Sequence, residues 1–235
     1  PVLIGLLWFP FISKLSRSKY KFFLALTVGL LLFLGIHTAE EAIEISAENL
    51  SDVFNGVLLV ATVAVVSFLG LNYVSDKLRN RAGASKLAGP VAIALMIAIG
   101  IGLHNFGEGL AIGAAIILGE AALGAFLIVG FALHNTTEGF AIAAPMARTK
   151  LMIGKLAAMG MIAGVPAIFG AWVGGFVYSP LFAVIFLAIG TGAIFQVIVS
   201  IMRWIQSEDG KISNSSVLAG IAVGMIIMYI TSILI

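Results

Sequence analysis

The stretch Ile97-Ala98-Ile99-Gly100-Ile101-Gly102-Leu103-His104-Asn105-Phe106-Gly107-Glu108-Gly109-Leu110-Ala111-Ile112 sets a histidine, an amide and a carboxylate in the middle of an apolar run. The run continues on both sides to cover 90–118, more than the 20 or so apolar residues that cross a bilayer as a helix. A second run, 121–146, carries nearly the same insert, His134-Asn135-Thr136-Thr137-Glu138-Gly139, continuing into Phe140-Ala141-Ile142. Aligned over twelve residues, 104–115 against 134–145, seven positions are identical. Hydrocarbon tolerates such groups only when something binds or pairs them. Function is therefore sought in this pair of inserts.

Composition agrees with a membrane setting. The 235 residues are 61% hydrophobic and 10% charged, with a mean hydropathy of +1.14. Soluble domains carry about a quarter charged residues. Long apolar runs, not alternating ten-residue ones, predict helices over a barrel. The fold class is thus an all-α integral membrane protein. Cysteine is absent, which excludes disulfides, thiolate metal sites and iron–sulfur clusters.

Eight apolar segments are predicted, at about 2–12, 22–39, 54–74, 90–118, 121–146, 154–178, 181–204 and 215–235, in one domain spanning 1–235. The first is half a span long and reads as the tail of a helix truncated in this chain. The loops after segments 1, 3, 5 and 7 hold Lys14, Arg17, Lys19 and Lys21; Lys77, Arg79, Arg81 and Lys86; Arg148, Lys150 and Lys155; Arg203 and Lys211. These are all 13 Lys and Arg residues of the chain. A wrong segment count would scramble that partition. The positive-inside rule makes these loops cytoplasmic, so both termini lie outside the cytoplasm of a multi-pass protein of the cell (inner) membrane.

The loop expected after segment 2 is acidic. Glu40, Glu41, Glu44, Glu48 and Asp52 follow His37 closely. Two readings stand: a solvated amphipathic connector, or a vestibule that concentrates cations, with His37, Glu40, Glu41 and Glu44 as outer access residues.

The inserts fall at the centres of segments 4 and 5, which a very short turn joins. His and Glu are spaced i, i+4, so both project from one helix face, and Asn105 and Asn135 lie about 100° around from their histidines. Antiparallel copies of one motif have inverted-repeat character, and such repeats often hold transport sites. The candidate metal ligands are His104, Asn105, Glu108, His134, Asn135 and Glu138. Nitrogen and oxygen donors without sulfur suit Zn²⁺, Fe²⁺, Mn²⁺ or Cd²⁺. An acidic residue at a helix centre costs roughly 2.5–3.5 kcal/mol on insertion scales. No Lys or Arg lies in any span near this depth. Glu108 and Glu138 are then protonated, water-facing or cation-bound. The bland alternative is a pair of protonated glutamates hydrogen-bonded to His and Asn across the interface. Gln196 is a candidate supplementary polar contact, or an ordinary interhelical hydrogen bond. Gly164-Val165-Pro166 predicts a kink in segment 6. Gly107 and Gly109 weaken the helix beside Glu108 and are expected to release carbonyls as extra ligands.

These residues resemble the ZIP family of divalent metal transporters, prokaryotic type. The likeness rests on His104–Gly109 against the family's His-Asn-x-Pro-Glu-Gly, His134–Gly139 in the next helix, and His37-Thr38-Ala39-Glu40-Glu41-Ala42 against His-x-x-Pro-Glu-Ala. The resemblance implies eight transmembrane helices, both termini outside, and a metal site shared by helices 4 and 5. It implies transport of divalent transition metals, Zn²⁺ first among them, toward the cytoplasm. The chain departs from the pattern in four places. Gly107 and Thr137 replace prolines, Val165 replaces a glutamate that helps hold a second metal, an acidic residue in helix 7 is missing, and the histidine-rich loop before helix 4 is absent. One strongly held metal is expected. The implied partners are a divalent metal ion as transported substrate and the lipid bilayer, with room for a homodimer and no nucleic acid. The chain is read as a transporter without catalytic residues. The competing reading is an intramembrane metal-dependent hydrolase. It is disfavoured because the chain lacks His-Glu-x-x-His and each copy supplies one histidine.

Overall fold

A computed structural model describes residues 1–50, 56–81, 88–117, 119, 121–147, 149, 153–177, 179–209 and 215–233. Inside the helices, the side chains of 78–81, 88, 89, 121–123, 126, 127, 130, 133, 134 and 207–209 fall outside that description. Every described element is helical, as a bilayer demands of chains that must satisfy their own backbone groups. The order is α1 (Val2–Gly5), a short 3₁₀ turn (Leu6–Trp8), α2 (Phe9–Ile12), α3 (Arg17–Asn49), α4 (Gly56–Arg81), α5 (Ala88–Ile117), α6 (Ala121–Met146), α7 (Ile153–Phe176), α8 (Pro180–Asp209) and α9 (Ser215–Ile233). Among the described residues, six helices are long and apolar enough to cross a membrane: α3, α4, α5, α7, α8 and α9. Helix α6 has 26 residues, the same length as α4.

Three expectations change. Helix α3 runs on to Asn49, so Glu40, Glu41, Glu44 and Glu48 ride on a helix and not in a loop. The stretch 75–81, expected as loop, belongs to α4. Helix α5 is unbroken from Ala88 to Ile117. Gly107 and Gly109 therefore do not interrupt it; they let other helices come close.

Helix α5 packs against α7, α8 and α6, helix α3 against α9, α8 and α6, and helix α4 against α8. Small residues make the tightest approaches, as membrane helices without a hydrophobic drive between them require. On α5, a Cβ at Gly109 would run into the Ala167 carbonyl and one at Gly113 into the Ala171 carbonyl. On α7, a Cβ at Gly170 would meet the Phe106 carbonyl and one at Gly174 the Leu110 carbonyl. The backbones of α5 and α7 touch through these glycines on both sides. Gly109→Val is expected to cost about 1–3 kcal/mol through overpacking, read as a lower melting temperature in detergent. Gly70→Ala, whose new methyl meets open space, serves as the control and should not melt lower.

Polar side chains tie together helix ends that meet. Tyr20 Oη in the first turn of α3 donates to the Pro145 carbonyl at the end of α6, at 3.2 Å. Arg203 near the end of α8 donates to Asn72 Oδ1 at 3.2 Å and lies 3.9 Å from Asp76 near the end of α4.

Candidate functional site

The two inserts meet where α5 faces α6. Helical phase puts His104, Asn105 and Glu108 on the inward faces of α5, and Asn135 and Glu138 on that of α6. All five are buried, Asn135 being the most exposed at 7%. His134 is held in α6, four residues before Glu138; its side chain is outside the described residues.

Each carboxylate has one oxygen held by an amide and the other turned toward His104. Glu108 Oε1 lies 2.9 Å from His104 Nε2, and Glu108 Oε2 accepts from Asn135 Nδ2 at 3.4 Å. Glu138 Oε1 lies 4.0 Å from the same His104 Nε2, and Glu138 Oε2 accepts from Asn105 Nδ2 at 3.2 Å. Each amide thus holds the far oxygen of the other helix's glutamate, and both near oxygens converge on one imidazole nitrogen. This exchange is reciprocal between the two copies of the motif.

The reciprocity is incomplete. Asn105 Nδ2 also donates to Asn135 Oδ1 at 2.7 Å and to the Ala163 carbonyl of α7 at 3.0 Å. Two N–H protons thus face three acceptors, so one is shared. Asn135 Nδ2 spends its other bond on its own helix, at the Phe131 carbonyl, 2.6 Å away. Asn105 Oδ1 is buried with no hydrogen-bond partner among the described residues. A buried acceptor left in this way is costly unless a cation or water completes it.

Thr38 of α3, fully buried, closes the opposite side of His104. Its Oγ1 lies 3.0 Å from His104 Nδ1 and donates to the Leu34 carbonyl at 2.8 Å. Helix α8 closes a third side. A Cβ on Gly190 would stand 3.0 Å from His104 Cα, so the imidazole's backbone is pinned by a glycine contact.

Other expected residues lie elsewhere. His37, Glu40 and Glu44 are exposed on α3, whereas Glu41, three residues after Thr38, is partly buried. Gln196 is buried, yet its Nε2 donates to Ser200 Oγ on its own helix at 2.9 Å. It lies six residues beyond Gly190, about 9 Å along α8 at 1.5 Å per residue, so it does not join the cluster. Val165 lines a cavity of ≈ 380 Å³ together with Asn135, Ile112, Phe131 and Ile168. It offers no ligand where the ZIP pattern has a carboxylate.

Among the described residues, no set of three His, Asp or Glu side chains takes up metal-binding geometry. Ligands about 2.1 Å from a tetrahedral Zn²⁺ stand roughly 3.4 Å apart. Here His104 Nε2 has its two carboxylate neighbours at 2.9 and 4.0 Å. Thr38, the Ala163 carbonyl and Gly190 escaped the reading of the sequence. The signal for Thr38 was its place in the His37–Ala42 motif, one residue from the histidine that drew attention.

No protein-family model matches the chain, and no curated protein matches it.

Proposed function

We propose that the chain is a ZIP-type transporter that moves a divalent transition metal, Zn²⁺ first and Fe²⁺, Mn²⁺ or Cd²⁺ after it, toward the cytoplasm. One observation carries this reading: two carboxylate oxygens converge on His104 Nε2 from two helices, while amides hold their far oxygens. Such an arrangement points the near oxygens and one imidazole nitrogen to a common place, where a cation would replace the proton that the 2.9 Å contact of Nε2 with Glu108 requires. Two glutamates neutralise one divalent charge, and no Lys or Arg lies at this depth to do so. Asn105 Oδ1 is a further neutral donor at the same place.

In this reading the amides orient the glutamates. Asn135 Oδ1 accepts from Asn105 and has a second lone pair, so Asn135 holds Glu108 through Nδ2 and stays a candidate ligand through Oδ1. His134, a candidate ligand on the sequence motif, lies in α6 with its side chain outside the described residues. Counting α6 and the helical run 2–12 with the six long helices gives eight spans in one transporter domain. The gathering of all 13 Lys and Arg residues in alternate loops supports a common cytoplasmic side for those loops, with both termini outside. Val165 supports a single strongly held metal.

Purified wild-type protein is expected to retain one Zn²⁺ per chain after gel filtration. The double variant His104→Ala/His134→Ala should retain none, both by elemental analysis. A folded wild type that holds no Zn²⁺, Fe²⁺, Mn²⁺ or Cd²⁺ under any of these loadings would overturn the proposal. Hydrolysis of lipid or peptide that needs the metal, without metal flux, would favour an intramembrane hydrolase.

A further inference from the structure

We infer that Thr38 is a positioning residue: it keeps a proton on His104 Nδ1 and so commits Nε2 to the side where the two glutamates converge. The geometry leaves little choice. A hydroxyl has one proton to give. The Leu34 carbonyl, 2.8 Å from Thr38 Oγ1, can only accept, so that proton goes to Leu34. The remaining contact of Oγ1, at 3.0 Å, is with His104 Nδ1. For it to be a hydrogen bond, the ring nitrogen must donate. If the hydroxyl turned to donate to Nδ1 instead, two oxygens 2.8 Å apart would face each other as bare acceptors. Thr38 is fully buried, so no bulk water relieves that conflict.

A threonine bonded to the carbonyl four residues back is ordinary in a helix. What makes Thr38 more than that is its second contact, across to another helix and onto a ring whose other nitrogen lies 2.9 Å from Glu108. An imidazole binds metal through one nitrogen, and the hydrogen bond at the other decides which. Thr38 belongs to α3, whereas His104, Asn105 and both glutamates belong to α5 and α6. The histidine's orientation is thus set from a third helix, outside the pair that carries the inserts.

The consequence for metal rests on the transport reading, but the position of the Nδ1 proton is a property of the empty protein. The test uses both. The chain has three histidines, so ¹⁵N-histidine labelling with His104→Ala as the assignment control isolates the His104 ring by NMR. In metal-free wild type, Nδ1 is expected to show the shift of a protonated ring nitrogen. Thr38→Val, equal in shape but without the hydroxyl, should move the His104 resonances. It should also weaken Zn²⁺ binding about 10–100-fold. Thr38→Ser should restore the wild-type spectrum and most of the affinity. An unprotonated Nδ1 in wild type would overturn the inference, as would unchanged His104 resonances in folded Thr38→Val. If wild type binds no divalent metal, the transport reading fails, while the NMR comparison still decides the role of Thr38.

Discussion

Glu138→Gln is expected to abolish Zn²⁺ influx in proteoliposomes, by at least about 100-fold, with the bundle intact. The substitution keeps size and shape. Its carbonyl oxygen takes over the role of Glu138 Oε2 as acceptor for Asn105, a bond of 3.2 Å in the wild type. What changes is the other end: an N–H₂ group replaces the oxygen that faces His104 Nε2. A donor cannot ligate a cation, and one of the two negative charges that balance it is gone. Losing a hydrogen-bond partner behind a ligand already costs about 10–100-fold in metal affinity. Losing a ligand with its charge should cost more than that.

The same variant separates a binding defect from a folding defect. A buried carboxylate bears a desolvation penalty that a neutral amide avoids. Metal-free Glu138→Gln should therefore melt at or above the wild-type temperature. Added Zn²⁺ should raise the wild-type melting temperature, because a ligand at 100 times its Kd stabilises by about 2.7 kcal/mol. The variant should show no such rise. Wild-type flux in Glu138→Gln would sink the transport reading at this site.

The meeting of the inserts was legible in the sequence for a simple geometric reason. His104 lies 14 residues before the end of its apolar run at Leu118, and His134 lies 13 after the start of the next at Ala121. Equal distances from one tight turn put both at one depth, and Asn105 and Asn135 are 2.7 Å apart. The crossing of bonds from each amide to the other helix's glutamate was not legible. It depends on how far each helix is rotated about its axis, which packing against α7 and α8 decides. Helix α3 shows the opposite failure. Four glutamates within nine residues depress hydropathy and suggest a loop, yet the i, i+4 spacing of Glu40, Glu44 and Glu48 already described one exposed helix face. With that phase, His37 turns outward and Thr38 inward. Gln196 Nε2 bonds Ser200 on its own helix; its depth along α8 relative to His104 is fixed by the contact of Gly190, which no spacing in the sequence reveals.

Asn105→Leu is expected to be the most destabilising single change in the cluster, and to exceed Asn135→Leu clearly. Asn105 Nδ2 serves three acceptors: Asn135 Oδ1 at 2.7 Å, the Ala163 carbonyl at 3.0 Å and Glu138 Oε2 at 3.2 Å. Leucine satisfies none of them. A buried polar group that loses its partner costs about 1–3 kcal/mol, more when charged. The Ala163 carbonyl keeps its helical bond, so the cost falls mainly on Glu138 and Asn135, together about 3 kcal/mol. Asn135→Leu loses less, because the two Nδ2 protons of Asn105, deprived of Asn135 Oδ1 at 2.7 Å, keep the Ala163 carbonyl and Glu138 Oε2 as acceptors. The Phe131 carbonyl keeps its own helical bond, and the bond to Glu108 is long at 3.4 Å. About 1 kcal/mol is expected there. Chemical or thermal unfolding in one detergent, without metal, measures both. Zn²⁺ binding should fall in both variants, since each releases one glutamate from its holder. Equal losses of stability would mean that the cluster is not organised around Asn105, and that its third contact, to α7, contributes nothing to holding the two inserts together.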